Sequence, residues 1–342
     1  MPHQTRRQAR IQRQRRRRGR ALLILGPLLC LVAANYLLWY SERSTETTMV
    51  ATVDRPTSAN PPKPPAPARS PKPPAPTRRD VLERLHSRLP DIAKALAGTQ
   101  GVVVFDPSTK KSASLNAHRT FEAASLTKLP VLLTLYRAAA RGEVDLEDEI
   151  SILASDVQAY GTGVLYRYPD KYPVGYTMTL RECARFMIKE SDNTAWVMLN
   201  RYLGRGYIES ELDQIGATST AYWIPNTTTP NDVLLMLKAI ADPSYTTPKL
   251  SAEMLGFMTN TSFEGHLPQP LPERTRVAHK IGFYGDTFSD AGIVFLDERS
   301  GTDQDYYIIA VFSEGAAEGE AREAIQDISL AAYRALSRSD AP

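Results

Sequence analysis

Apolar positions between residues 80 and 342 fall into a few periodic segments. Val81, Leu82, Leu85, Leu89, Ile92 and Leu96 recur at the spacing of one helix face, and Gly98 ends the run. Residues 101–105 form a short unbroken apolar run of strand length, residues 106–111 a polar turn, and residues 112–116 a partner strand. The apolar stretch after Ser125 predicts a helix closing at Gly142, with Pro130 expected to disturb at least one turn. Residues 179–203 predict one further helical stretch, and Thr229-Pro230 opens another with a hydroxyl cap and a proline at the first helical position. Residues 277–283, 290–296 and 306–312 read as strands, and Glu318–Leu336 as a closing helix. Strands at both ends and helices in the middle predict an α+β domain. It has one five-stranded antiparallel sheet flanked by the terminal helices, an all-helical lobe, and a cleft between the two.

Upstream of residue 80 the pattern changes. Residues 21–40 carry no charged side chain over 20 positions, the length a helix needs to cross about 30 Å of hydrocarbon. Nine arginines and no acid precede that stretch, so the positive-inside bias places residues 1–20 in the cytoplasm and exports everything after residue 40. Residues 41–79 hold a proline-rich run. Ten of the chain's 25 prolines lie between Pro56 and Pro76. Extended as polyproline II, those 21 residues reach about 65 Å and read as a spacer. The expectation is a single-pass membrane protein with an extracytoplasmic domain at 80–342. A cleaved signal peptide fits less well, because the apolar run continues through Leu37, Leu38 and Trp39 past any small-residue site near Ala34.

Charge then sharpens the picture. The chain's 342 residues carry a formal net charge of +3, but outside the first 20 residues 32 basic side chains face 38 acidic ones. The exported part is mildly acidic, which argues against nucleic acid as a partner. Two cysteines, Cys30 in the apolar stretch and Cys183 in a predicted helix, exclude a disulfide scaffold. The histidines show no paired metal-ligand spacing, and neither a metal nor a cofactor is expected. A monomer is expected.

Three short motifs carry the chemistry. Ser125 and Lys128 form an S-x-x-K, Ser191, Asp192 and Asn193 an S-D-N, and Lys280 to Gly282 a K-x-G. Singly each is weak: Ser108 to Lys111 is a second S-x-x-K in a polar turn, and Ser58-Ala59-Asn60 mimics S-x-N in the linker. Context separates them, since Ser125 opens an apolar helix and Lys128 lies one turn on, on the same face. A helix N-terminus at Ser125 also adds positive potential where an oxyanion would form.

The ordered set resembles the serine penicillin-recognising enzymes of class A β-lactamase type. That resemblance covers nearly all of 80–342 and implies a β-lactamase/transpeptidase-like fold. It implies a serine hydrolase that forms an acyl-enzyme at Ser125 with a β-lactam or a related peptidoglycan-type amide. Lys128 would then be the base, lowered by burial and by the neighbouring charge of Lys280. Ser191 would relay a proton, and Asn193 would hold a substrate carbonyl. Gly282 would leave room along the strand edge. The backbone N–H groups of Ser125 and Phe283 would form the oxyanion hole. Asp192 is expected to hold its loop together.

Two departures qualify it. Class A enzymes place a glutamate on a loop after the S-D-N helix to position the deacylating water, and residues 216–231 contain no Asp or Glu. Losing such a base slows a step by about 10²–10⁴. Ile281 stands where the family carries a hydroxyl that helps hold the substrate carboxylate, with Arg276 as a weak substitute. A penicillin-binding, D,D-peptidase-like enzyme is therefore the alternative, and a catalytically idle wall-binding scaffold the alternative of another class. Tyr160, Tyr166, Tyr168, Tyr172 and Tyr176 crowd the region before the S-D-N and form a candidate rim to the cleft. His279 is expected to pack on its strand.

Overall fold

The computed structural model describes residues 76–157, 163–296 and 305–337. The candidate membrane segment and nearly all of the proline-rich run lie outside the described residues, as does Tyr160. Among the described residues no helix is long and apolar enough to cross a membrane.

Helix α1 (Arg78–Lys94) begins two residues before the expected domain boundary. Thr77 and Asp80 form a capping box that satisfies two backbone donors, and Arg78 pairs with Asp106 at 3.5 Å and Asp305 at 2.7 Å. Strands β1 (Thr99–Asp106) and β2 (Lys111–Leu115) follow, then a two-residue strand β3 (Phe121–Glu122) and helix α2 (Lys128–Ala140). The middle of the chain supplies β4 (Glu149–Ser151), α3 (Val164–Arg167), β5 (Thr177–Thr179), α4 (Leu180–Lys189), α5 (Asn193–Leu203) and α6 (Arg205–Gln214). Next come β6 (Thr227–Thr228), α7 (Pro230–Ala241) and α8 (Pro248–Phe257). The chain returns through β7 (Val277–Tyr284), β8 (Thr287–Phe295) and β9 (Tyr306–Glu314) to α9 (Glu318–Leu336).

The sheet has five antiparallel strands in the order β2-β1-β9-β8-β7, joining both ends of the domain as the sequence pattern predicts. Its two faces bury separate cores. One packs Val102, Val104, Ile309 and Val311 against Leu82 and Leu85 of α1 and Ile325 and Ile328 of α9. The other packs Val103, Ile308 and Phe312 against the helical lobe, where Leu129, Leu132, Leu133 and Leu135 of α2 are completely buried. Each such side chain contributes about 1.5–3 kcal/mol, so packing rather than helix propensity fixes α2 in place.

Three expectations need correction. Pro130 does not disturb α2, because that helix begins at Lys128 and Pro130 lies in its first turn, where a missing N–H leaves no bond unmade. The stretch 179–203 is two helices: Ser191 adopts a left-handed φ of 52°, and Asp192 caps α5 by accepting from the Ala195 N–H at 2.9 Å. The lobe is not all-helical: between β2 and β7 the chain also forms the small ladders β3–β6 and β4–β5, too short to show a strand period in sequence.

Candidate active site

The segment carrying Ser125 is shaped before its helix begins. Register pairs Phe121 with Thr228 and Glu122 with Thr227, the Ala123 N–H donates to the Asn226 carbonyl at 2.9 Å, and Asn226 Nδ2 donates to the Ala124 carbonyl at 3.2 Å. Ala124 is held at a φ of 46°, and residues Ala124–Thr127 wind into a 3-10 turn. Ser125 therefore stands in the turn that leads into α2 and not at its first helical residue, which corrects the expectation. Positive φ at a non-glycine residue costs about 1–3 kcal/mol, and both Ala124 and Ser191 sit beside the same cleft.

Lys128 Nζ lies 2.9 Å from Ser125 Oγ, 3.3 Å from Ser191 Oγ and 2.7 Å from Asn193 Oδ1. Lys280 Nζ donates to Ser191 Oγ and to the Ile281 carbonyl, each at 2.9 Å. Ser191 thus bridges two lysines that are 1% and 2% exposed. Burial first, and the Lys280 charge second, hold Lys128 well below the ordinary lysine range, with Asp192 opposing. Burial brings Lys280 down to about 7 against the pull of Asp290. The geometry gathers Ser125, Lys128, Ser191, Asn193 and Lys280, from a turn, two helices' starts and an edge strand, into one hydrogen-bonded chain.

Asp192 is buried and faces away from that chain. Besides capping α5 it accepts the Leu165 N–H at 2.8 Å, and a Cβ on Gly163 would stand 2.6 Å from its Oδ2, so glycine is required there. Gly282 plays a packing part. A Cβ on it would lie 2.6 Å from Ser289 Oγ and 2.9 Å from the Ala123 carbonyl, so its bare backbone lets β7 close against the nucleophile turn. Phe283, the next residue, is 56% exposed on the edge strand.

A cavity of about 460 Å³ opens over Ser125, between Asn193 and Trp196 of α5, Trp223, Ile224 and Pro225 of the loop before β6, and Ile281, Phe283 and Tyr284 of β7. Gly282 and Lys280 lie behind this lining. Neither Tyr166, Tyr168, Tyr172 nor Tyr176 borders the cavity. Tyr172 is instead buried edge-to-face against Tyr176 and Phe186, 5.2 and 5.5 Å away. Among the described residues no group of side chains is arranged to hold a metal ion.

Beneath the lysines lies a charged cluster that no motif announces. His279 Nδ1 is 2.9 Å from the Asp290 carboxylate, and its Nε2 is 3.2 Å from Glu264. Asp290 also accepts the Leu267 N–H at 3.0 Å. Burial opposes charge on His279, but Asp290 and Glu264 outweigh it and raise the imidazole to about 9. His279 is thus an ionic partner and not only a packing residue. An acid inside a strand buried along its whole length was the available signal, since a buried carboxylate needs a partner, and register places His279 diagonally across from Asp290.

Residues 84–336 match the beta-lactamase enzyme family. This chain belongs to the beta-lactamase enzyme family. It is 26% identical to a beta-lactamase of Bacteroides uniformis over 68% of this chain and 84% of that one. Among solved structures, PBP-A superposes with a TM-score of 0.67 at 25% identity, covering 74% of this chain and 96% of PBP-A. A beta-lactamase of Sphaerobacter thermophilus gives 0.64 at 26%, covering 73% and 96%. As a member of this family the protein is a hydrolase of the serine beta-lactamase kind with the α+β beta-lactamase/penicillin-binding fold.

Proposed function

We propose that Ser125 is acylated by a β-lactam or a related cell-wall peptide amide, and that the acyl-enzyme then deacylates slowly. The observation that carries this reading is the buried Lys128 amine 2.9 Å from Ser125 Oγ, its pKa held low. In its neutral form Lys128 donates two N–H bonds, to Asn193 Oδ1 and Ser191 Oγ, and its lone pair accepts from the Ser125 hydroxyl. That is the arrangement a serine needs to become a nucleophile. Ser191, 2.9 Å from Lys280, passes a proton toward the leaving atom, and Asn193 presents its amide to a substrate carbonyl. The Ser125 and Phe283 N–H groups receive the oxyanion. Residues 21–40 anchor the domain outside the cytoplasm on the proline-rich spacer.

Slow deacylation is supported by the loop wall. Trp223, Ile224, Pro225 and Asn226 border the cavity over Ser125 and none can act as a general base, while Glu122, the carboxylate of the lining, is half-buried and accepts hydrogen bonds from the Ala124 N–H and the Asn226 side chain. This observation favours penicillin-binding, D,D-peptidase-like behaviour over rapid β-lactam hydrolysis. The hydrogen-bonded lysine pair speaks against an idle scaffold, because a binding cleft has no need to bury two amines. Intact-mass spectrometry after incubation with benzylpenicillin is expected to show one adduct on the wild type and none on Ser125→Ala. No adduct with any β-lactam, together with no Ser125-dependent ester or amide cleavage, would sink the proposal.

A further inference from the structure

The cavity over Ser125 meets charge of both signs, at different places. On the floor the Lys280 amine stands 2.9 Å from Ser191 Oγ, and Ser191 borders the cavity, so a group lying against Ser191 feels that cation. Lys128, the other amine, is engaged by Ser125, Ser191 and Asn193. Arg276 adds nothing here, since its guanidinium lies 3.6 Å from the centre of the Phe295 ring and does not border the cavity.

Glu122 is the acid of the lining. It sits half-buried on β3, where register pairs it with Thr227. Its carboxylate accepts from the Ala124 N–H and from the Asn226 side chain, which ties it to the nucleophile turn and to the loop wall. A carboxylate has about four acceptor sites, and these two donors leave the others unused. Among the described residues no lysine or arginine forms an ion pair with it. Arg119, three residues away in sequence, pairs with Glu314 and lies over the Phe121 ring. Partial burial pushes the Glu122 carboxyl up against its two hydrogen bonds, and a cation beside it would reverse that. Trp223 of the same loop wall stacks on Trp196 at 4.9 Å, and both border the cavity with aromatic faces of the kind that attract an ammonium group.

From this juxtaposition of an unpaired acid on the loop-wall side and a lysine behind Ser191, we infer that the cleft favours acyl donors whose acyl half carries an ammonium group, received by the Glu122 carboxylate. The inference rests on the acyl-enzyme reading of Ser125 and names the kind of acyl group that reading takes. There the leaving atom lies toward Ser191, so the acyl half extends the other way, along the loop wall. A carboxylate on the leaving half, as in a penicillin, meets the Lys280 side, and an amine on the acyl half meets Glu122. Glu122 is thus a specificity residue and takes no proton in the reaction.

The test uses the full chain and two penicillins that differ by one group: ampicillin, whose side chain carries an α-amine, and benzylpenicillin, which lacks it. In each, Ser125 Oγ bonds to the lactam carbonyl carbon. The bond from that carbon to the lactam nitrogen breaks with its electron pair, and the nitrogen takes up the serine proton by way of Lys128 and Ser191. Nothing leaves, so the adduct carries the whole mass of the antibiotic, and its rate of appearance by mass spectrometry measures acylation. At about pH 6, where an α-amine is charged, ampicillin is expected to acylate Ser125 about five- to tenfold faster. The preference is expected to vanish at about pH 9, where the amine is neutral, and to vanish in Glu122→Gln. Titration of Lys128 and Lys280 acts on both penicillins and cancels in the ratio. Equal rates at both pH values, or a preference that survives Glu122→Gln, with adducts still lost in Ser125→Ala, would overturn this inference and leave the nucleophile in place. Adducts that survive Ser125→Ala would overturn the acyl-enzyme reading and this inference with it, as would no adduct together with no Ser125-dependent ester or amide cleavage. Should Glu122→Gln not fold, the pH dependence of the wild-type ratio decides alone.

Discussion

The floor and the loop wall of the cleft are built on opposite principles. On the floor, Lys128, Ser191 and Lys280 are buried, both lysines are hydrogen-bonded to Ser191, and the His279–Asp290 pair backs them. The wall opposite, Trp223 to Asn226, is apolar apart from Asn226, and Ile224 stands 78% exposed. Forming an acyl-enzyme needs a desolvated base touching the serine, and the floor supplies one. Breaking it needs a base that touches water, and Trp223 to Asn226 offer none; the carboxylate of the lining, Glu122, is held by Ala124 and Asn226. On the proposed reading the two half-reactions draw on separate surfaces, so that one could be kept while the other is absent.

Removing the base on the floor has the largest expected effect. Lys128→Ala is expected to slow acylation of Ser125 by about 10²–10⁴, the contribution of a positioned general base, as read from the rate of adduct formation by mass spectrometry. If acylation were unchanged, Lys128 would not be the base, and the contrast between floor and wall would lose its first half.

A change on the wall tests the second half. Ile224→Glu puts a carboxylate on an exposed position that borders the same cavity as Ser125, at little structural cost. The lifetime of the adduct is expected to shorten by up to about 10², with the acylation rate altered far less. A lifetime that does not change would mean that slow deacylation has another source than this wall.

The foundation of the floor is tested by stability. Asp290→Ala leaves a buried histidine without its partner and the Leu267 N–H without an acceptor, and is expected to cost about 3–5 kcal/mol in urea unfolding. The sign of the pH dependence follows from His279. Its value rises from 6.5 to about 9 on folding, so the stabilisation is fully present below about 6.5 and is lost as pH rises through about 9. The wild-type curve is expected to lose stability across that window, and the variant's to be flatter there.

What the sequence makes legible here is periodic or local. The five strands and the terminal helices announce themselves through apolar runs, and Ser125, Lys128, Ser191, Asn193 and Lys280 through motif order. The 3-10 turn at Ala124 is not legible, because it is imposed from outside by the bonds of Asn226 to Ala123 and Ala124. Gly282 is conspicuous in sequence, yet its reason lies in the Ala123 carbonyl and Ser289, distant in the chain. The tyrosines before the S-D-N suggest a rim only because spacing cannot tell packing on Phe186 from facing a cleft. The true rim, Trp196 and Trp223, comes from two segments that only the fold brings together.

The smallest expected effect concerns the coupling between the two amines. Lys128 must be neutral to accept the Ser125 proton, and the Lys280 charge is one of the two influences that keep it so. Wild-type acylation is expected to fall once pH is low enough for Lys128 to gain a proton, a point that the charge Lys280 acquires below about 7 pushes to lower pH. In Lys280→Met only burial still holds Lys128 low, with Asp192 opposing it, so its pKa rises and the acid limb of the profile moves to higher pH. At a fixed alkaline pH the variant is expected to lose less than at neutral pH, provided its other loss, the proton relay through Ser191, is independent of pH. A limb that stays in place in Lys280→Met would show that desolvation by itself sets the base. The Lys280 amine would then serve Ser191 alone, and the floor would be one tuned lysine with a neighbour and not a coupled pair.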